Sequence, residues 1–225
     1  MFDFIFLLDT EEISKVATPQ VESVWSVLAK GGVLMIPLMG LLAVAIFFFI
    51  ERLIAIRKAS KIDDNFMNII RDNVVTGNIT AARSLAKNTN NPVARVIDKG
   101  IQRIGKPIDA IEKSMDNVGV LEMYVMEKNL SILSIISRIA PLFGFLGTII
   151  GMLSLFKGIA ATSEYTPNTI ADGIYIKMIT SATGLIIGIL TYLGYSYLNA
   201  QIRRVENKMD AASSEFVDIL QEPTR

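Results

Sequence analysis

Three long apolar runs divide the chain into alternating apolar and charged segments. Residues 31–50 contain no charged side chain. The second run begins near Leu130, carries one charge at Arg138 and is uncharged over 139–156, and the third is uncharged over 178–202. A helix needs about 20 apolar residues to cross the hydrocarbon core of a bilayer. The pattern therefore predicts an all-α membrane protein with three transmembrane helices.

The distribution of lysine and arginine predicts the orientation of these helices, because cytoplasmic loops carry the excess of basic residues. Residues 53–128 hold 12 basic residues, whereas residues 1–30 hold 2 and the turn at 157–171 holds only Lys157. We therefore expect a periplasmic N-terminus and a cytoplasmic C-terminus. The predicted segments are a periplasmic or interfacial helix at 1–30, transmembrane helix 1 at 31–52, a cytoplasmic helical domain at 53–132, transmembrane helix 2 at 133–156, a periplasmic turn at 157–173, transmembrane helix 3 at 174–200 and a cytoplasmic helical tail at 201–225.

Apolar residues at helical spacing predict helices in the charged segments as well. Ile62 to Val74 keep one face apolar, and the spacing resumes after a break at Gly77-Asn78, which predicts a helical hairpin. Further breaks are expected at 90–92 and 105–107. Because no strong breaker follows until Pro141, we predict one helix running from Ile108 into the second span. The tail is expected to extend the third span in the same way.

Composition narrows the function classes. The chain is 51% hydrophobic, with 22 basic and 22 acidic residues, so no net charge favours nucleic acid as a partner. It contains no cysteine and no histidine, and therefore lacks thiolate nucleophiles and the commonest metal ligand and general base. We expect no enzyme activity, no metal and no cofactor.

Two apolar spans carry stripes of small and weakly polar residues at spacings of three and four. In the second span the stripe is Ser137, Pro141, Gly144, Thr148, Gly151 and Leu155, and in the third it is Lys177, Ser181, Gly184, Gly188, Thr191 and Tyr195. Small residues allow helices to approach closely in lipid, and hydroxyls can bond between helices. Packing alone explains such stripes. The alternative is that Thr148 and Ser181 line a polar path, with Pro141, Gly144, Gly151, Gly184, Gly188 and Thr191 on a packing or pore face.

One charged residue lies within the third stripe. Lys177 follows Asp172 by about one and a half turns. A lysine near a helix end can extend its ammonium group toward water. Two arrangements therefore remain open, an ion pair with Asp172 at the mouth of a pore and a solvated interfacial lysine.

The sequence APLFGFLGTIIGM at residues 140–152 resembles the second span of the inner-membrane proton-channel family that includes ExbB, TolQ and MotA. The similarity is carried by Ala140-Pro141-Leu142, Gly144, Gly147-Thr148 and Gly151, and in the third span by Gly173-Ile174, Ala182, Gly184 and Leu185. Gly77-Asn78, Ala81-Ala82 and Pro92-Val93-Ala94 resemble the cytoplasmic helices of the family. Three spans favour an ExbB or TolQ type over MotA, which has four.

This resemblance implies a homo-pentamer in the bacterial inner membrane, surrounding two copies of an ExbD- or TolR-like single-span partner with a membrane aspartate. It implies use of the proton motive force, with Thr148 and Ser181 facing the pore. It also implies contacts with a TonB-like protein and with membrane lipid. The expected function is that of an ExbB-like subunit in TonB-dependent transport. A TolQ-like subunit, a gliding or rotary stator and a non-conducting scaffold are the alternatives.

The spans themselves lack a carboxylate that could relay protons. Glu51 and Asp172 lie at span edges, and the middles of the spans contain neither Asp nor Glu. ExbB-like proteins often carry a glutamate three residues on from the glycine of the third-span Gly-Ile pair, where this chain has Ile176 with Lys177 beside it. The proton-carrying carboxylate is therefore expected on the partner.

Overall fold

The computed structural model describes residues 31–63, 65–162 and 166–221, apart from the side chains of Thr162, Thr169, Asp172 and Ile176. The predicted helix at 1–30 and the last four residues lie outside this part. The described residues form seven helices and no strand, which confirms the predicted all-α class. The helices are α1 (Met35–Ser60), α2 (Phe66–Val75), α3 (Ile79–Asn88), α4 (Pro92–Ile101), α5 (Ile108–Glu127), α6 (Leu130–Thr162) and α7 (Pro167–Gln221).

Three of these helices, α1, α6 and α7, are long and apolar enough to cross a membrane. The qualifying stretches are Met35–Ser60, Leu130–Ala161 and Gly173–Gln221. Helices α6 and α7 make the most extensive contact in the chain, and α1 packs against both of them. The prediction of three apolar helices is therefore confirmed, and each helix is longer than the span predicted from hydropathy.

Helices α2, α4 and α5 pack against the C-terminal half of α7, and α3 packs against α2 and α4. Together they form a polar domain outside the apolar spans. Its core is apolar and includes the fully buried Ile70, Ile97, Met115 and Phe216. Gly100 permits α4 to approach this core, because a methyl group added there would lie 2.6 Å from the Met115 sulfur and 2.7 Å from the Phe216 ring. The tail of the third apolar helix is thus the central support of the polar domain.

The predicted hairpin of the polar domain is present as α2 and α3. Gly77, with φ of 75°, makes the turn between them, and the side chain of Asn78 accepts a hydrogen bond from the backbone N–H of Ala81 at 3.2 Å. The left-handed backbone conformation favours glycine, and an asparagine cap satisfies a free N–H at a helix start. The local sequence therefore specifies both the turn and the start of α3.

The predicted continuous helix from Ile108 into the second span was wrong. Helix α5 ends at Glu127, and α6 starts at Leu130 after Asn129, which has a φ of 63°. Arg52 of α1 supports this break, because its guanidinium donates to the carbonyl of Val125 at 3.2 Å and pairs with Glu51. Carbonyls in the last turn of a helix lack intrahelical partners, so a buried cation can satisfy one of them. Breaker residues alone do not reveal a break that depends on a distant arginine.

A buried asparagine joins α1 to the polar domain. Nδ2 of Asn91 donates to the carbonyls of Ala59 and Lys61, both at 2.8 Å. Its Oδ1 accepts from the N–H of Val93 at 2.8 Å. The Asn91 amide thus joins these three backbone groups at the end of α1, where the chain turns toward α2.

We expect Asn91→Ala to destabilise the chain by roughly 1–3 kcal/mol, because it leaves two partly buried carbonyls and one buried N–H without their side-chain partner. Thermal unfolding in detergent measures the loss. The neighbouring Asn90 is exposed and provides a matched control. Asn90→Ala should change stability by at most about 0.5 kcal/mol. Equal melting temperatures for the two variants would contradict the structural role of Asn91.

Candidate functional site: the α6–α7 hairpin

The small residues of the two stripes bring the backbones of α6 and α7 into contact. A methyl group added at Gly184 would lie 2.6 Å from the carbonyl oxygen of Ala140 and 2.8 Å from the Cα of Gly144. One added at Gly144 would lie 3.0 Å from the carbonyl oxygens of Thr180 and Ser181. The stripes therefore face one another within a single chain.

Other stripe residues extend this contact along the hairpin. A methyl group at Gly188 would lie 2.5 Å from the ring of Pro141, and one at Gly151 would overlap the side chain of Lys177. Thr191 is buried and borders an apolar cavity of about 200 Å³ between α1, α6 and α7. The structure thus places Pro141, Gly144, Gly151, Gly184, Gly188 and Thr191 in packing between helices of one chain.

Helix α1 covers one side of the hairpin. Met35 and Leu38 of α1 form a buried cluster with Ala140 of α6 and Ile187 of α7. Next to this cluster, the buried hydroxyl of Thr180 donates to the carbonyl of Gly31 at 3.2 Å. The side of the hairpin that carries these residues is therefore closed by the first apolar helix.

The sequence pattern does not reveal the role of Thr180. Its methyl group fills the space left by Gly147, since a Cβ at Gly147 would lie 2.7 Å from Thr180 Cγ2. Gly147 belongs to the motif at residues 140–152, but the stripe in the third span runs through Ser181 and not through Thr180. Only the facing helix distinguishes these two neighbouring hydroxyls.

Thr148 and Ser181 lie on the side of the hairpin that α1 leaves open. Each follows a residue near α1, Gly147 and Thr180 respectively, and consecutive helical residues are about 100° apart. Both side chains are half-buried. The residues around them on this side are exposed and mostly apolar, and include Leu142, Phe145, Met178, Leu185 and Tyr192. We call this side the open face.

The two hydroxyls on the open face can hold water or a hydrogen-bonding partner. Thr148 Oγ1 donates to the carbonyl of Phe145 at 2.6 Å, which leaves its lone pairs free to accept. Within the described residues, the Ser181 hydroxyl has no hydrogen-bond partner. Neither group titrates near neutral pH, so each can bind or orient a proton carrier without itself carrying the proton.

A cation lies on the same face nearer the start of α6. Arg138 is exposed, and its guanidinium donates to the hydroxyl of Ser134 at 3.3 Å. A charge on a lipid-facing surface is costly, and such residues usually face water or protein. The open face is therefore more polar than a surface intended only for lipid.

Lys177 is held inside the hairpin by its aliphatic stem, which crosses α6 at Gly151. The side chain is half-buried. The Asp172 side chain lies outside the described residues, so the proposed ion pair stays a prediction. The absence of a side chain at Gly151 gives the lysine its place between the two helices.

Comparison with known proteins identifies the family. The sequence profile of the MotA/TolQ/ExbB proton channel family matches residues 88–211, which is more than half of the chain and includes the whole hairpin interface described above. The chain belongs to this family. The membership confirms the resemblance inferred from residues 140–152, and the family is one of proton-channel membrane proteins and not of enzymes.

Individual relatives agree with this membership. A relative from Methanothermobacter thermautotrophicus, named as a biopolymer transport protein ExbB homolog, is 27% identical over 71% of this chain and 58% of its own length. The biopolymer transport protein exbB1 of Vibrio cholerae is 37% identical over 40% of each chain. The Tol-Pal system protein TolQ of Haemophilus influenzae is 25% identical over 61% of this chain and 56% of its own length. The chain thus spans about half the length of the curated relatives that it matches.

Proposed function

We propose that the chain is an ExbB-like subunit of an inner-membrane motor that couples the proton motive force, with an ExbD-like partner, to TonB-dependent transport across the outer membrane. The observation that carries this proposal is the open face, where Thr148 and Ser181 present hydroxyls on the side of the hairpin opposite to α1. Membership of a proton-channel family supports a proton path there. The names of the ExbB relatives support biopolymer transport as the work that is driven.

The chemistry of the spans supports a second chain as the proton carrier. The apolar middles of α1, α6 and α7 contain no Asp or Glu, whereas proton transfer through a membrane needs a titratable group or a chain of water. We propose that an aspartate on a single-span partner supplies this group and meets Thr148 and Ser181. A proton moving through about 180 mV releases roughly 4 kcal/mol, at about 2.3 kcal/mol per 100 mV. That is enough to bias a conformational step.

A ring of subunits would cover the open face. The two small-residue stripes are satisfied within one hairpin, so they do not themselves require a second subunit. The open face supports one, because it combines half-buried hydroxyls with the exposed Arg138. We propose a pentamer whose open faces surround two partner helices, as the resemblance to ExbB and TolQ implies.

The assembly is tested by co-expressing the chain with an ExbD-like single-span protein that carries one membrane aspartate. Native mass measurement in detergent should give five copies with two partner copies, and liposomes containing this complex should take up protons under an imposed potential. Substituting Asn for the partner's membrane aspartate should abolish the uptake without changing the mass. A monomer that binds no partner, or unchanged uptake after the substitution, would reject the proposal.

Topology gives an independent prediction. Ala161 and Lys106 are exposed and lie at opposite ends of the apolar spans. In cells whose outer membrane is permeabilised and whose inner membrane is intact, an impermeant thiol reagent should label Ala161→Cys and spare Lys106→Cys. After lysis, both should react. The reverse labelling pattern would invert the proposed orientation, in which the C-terminus is cytoplasmic.

A TolQ-like role is the second candidate, because TolQ proteins are also among the relatives. A TolQ-like role uses the same proton path as an ExbB-like role, but it differs in the partner protein and in the process that is driven. Complementation separates the two. Rescue of a TolQ-deficient strain, with no rescue of an ExbB-deficient strain, would favour the TolQ-like role, and a non-conducting scaffold would rescue neither.

A further inference from the structure

A groove of about 530 Å³ opens between the last turns of α1 and the middle of α7. Leu53, Ile54 and Tyr197 line its apolar part. Its polar part is lined by Arg57, Lys58 and Lys61. The groove is therefore apolar where it meets the membrane spans and cationic where it meets the polar domain.

The cations of the groove lack neutralising partners. Arg57, Lys58 and Lys61 are exposed, and the described part of the chain places no carboxylate within ion-pair distance of any of them. Lys208 adds a fourth cation, because its ammonium group donates to the carbonyl of Ser60 at 3.4 Å. Like charges around one groove favour an anion among them.

The depth of the groove matches that of lipid headgroups. Helix α1 rises about 1.5 Å per residue, so Arg57 lies about 4.5 Å and Lys61 about 10 Å beyond Ile54, which is exposed and apolar. The headgroup layer on each side of a bilayer is roughly 5–8 Å thick. Tyr197, which is also exposed, has the side-chain type that is enriched at this boundary. The separation between the apolar and cationic parts of the groove thus matches that between the acyl chains and the phosphates of a lipid.

We propose that this groove binds one anionic phospholipid of the adjacent leaflet. Its phosphate lies against Arg57, Lys58 and Lys61, and an acyl chain runs along Leu53 and Ile54. Basic residues just outside a transmembrane helix attract anionic headgroups in this way. The site goes beyond the proposed proton path, since it lies where α1 meets α7, away from Thr148 and Ser181. The bound lipid fixes the junction between the apolar spans and the polar domain.

The test is a lipid titration of the purified full chain in non-ionic detergent, with bound lipid counted by native mass spectrometry. The parent should bind phosphatidylglycerol at least about tenfold more tightly than phosphatidylcholine, with one tight site per chain, and this preference should weaken as salt is raised. Equal binding of the two lipids, or a preference insensitive to salt, would overturn the proposal without any variant being needed.

Variants locate the site. Arg57→Gln, Lys58→Gln and Lys61→Gln together should reduce the preference for phosphatidylglycerol by about tenfold, to near-equal binding of the two lipids. A control removes the same charge from exposed positions of the polar domain, with Lys87→Gln, Lys106→Gln and Lys113→Gln, and should retain the preference. Equal loss in both variants would show a general charge effect and overturn the site.

A third arm separates a lipid from a free anion. Inorganic phosphate in large excess should leave most of the bound phosphatidylglycerol in place, because it cannot occupy the apolar part of the groove along Leu53 and Ile54. Full displacement by phosphate would mean that the site recognises a soluble anion, and would overturn the lipid assignment.

Discussion

Gly184→Ala should separate α6 from α7 and prevent stable assembly. Its added carbon would lie 2.6 Å from the Ala140 carbonyl oxygen, and 2.8 Å and 3.0 Å from the Cα and N of Gly144. All three contacts are with backbone atoms, which cannot move aside as a side chain can. Overpacking typically costs about 1–3 kcal/mol, and packing is the main force that holds helices together in lipid. We expect a lower melting temperature in detergent and little assembled complex.

Two other glycines serve as controls for this substitution. Gly40 lies in α1 with nothing within 4 Å of an added methyl group, so Gly40→Ala should be neutral or stabilise the helix by up to about 1 kcal/mol. Gly151→Ala should have an intermediate effect, because the three atoms nearest to its added carbon all belong to the flexible stem of Lys177. If Gly184→Ala assembled and melted like Gly40→Ala, the close contact between the two spans would be wrong.

Much of the hairpin could be predicted from the sequence, because the spacing of small residues specifies which of them share a helix face. The pattern correctly grouped Gly144 with Gly151, and Gly184 with Gly188. Spacing does not specify what covers that face. The two stripes cover one another and α1 closes one side, so Thr148 and Ser181 at the other edge of the stripes remain partly open.

The hydroxyls illustrate the limit of periodicity. Thr180 and Ser181 are neighbours of similar chemistry, yet Thr180 is buried and bonded to Gly31 whereas Ser181 is half-buried on the open face. The two side chains point in directions about 100° apart around the axis of α7, and this angle decides which of them faces α1. A single sequence has no local signal for the position of a helix more than a hundred residues away.

The break between α5 and α6 has a similar origin. Asn129 tolerates a left-handed conformation, but asparagine occurs in many helices without ending them. Here its side chain donates to Glu51 at 3.4 Å, and Arg52 satisfies the carbonyl of Val125. The break therefore depends on contacts with α1 that no local pattern reports.

Thr148→Val should lower proton uptake by the assembled complex about 5- to 30-fold while leaving assembly intact. The change keeps the shape of the side chain and removes the hydroxyl from the open face. Loss of one hydrogen bond to a proton carrier is worth about 1–2 kcal/mol. Thr148→Ser retains the hydroxyl and should keep much of the activity, and Ser181→Ala should act in the same direction as Thr148→Val.

Thr183→Val is the matched control for this prediction. Thr183 also lies in an apolar span and is half-buried, and its hydroxyl donates to the carbonyl of Ile179 at 2.8 Å, as Thr148 does to Phe145. It lies on the same side of α7 as Thr180 and Ile187, which face α1. Thr183→Val therefore removes an equivalent intrahelical bond outside the open face and should leave uptake near the parent rate. If both valine variants conducted equally, whether fast or slow, the hydroxyl of Thr148 would have no special part in the proton path.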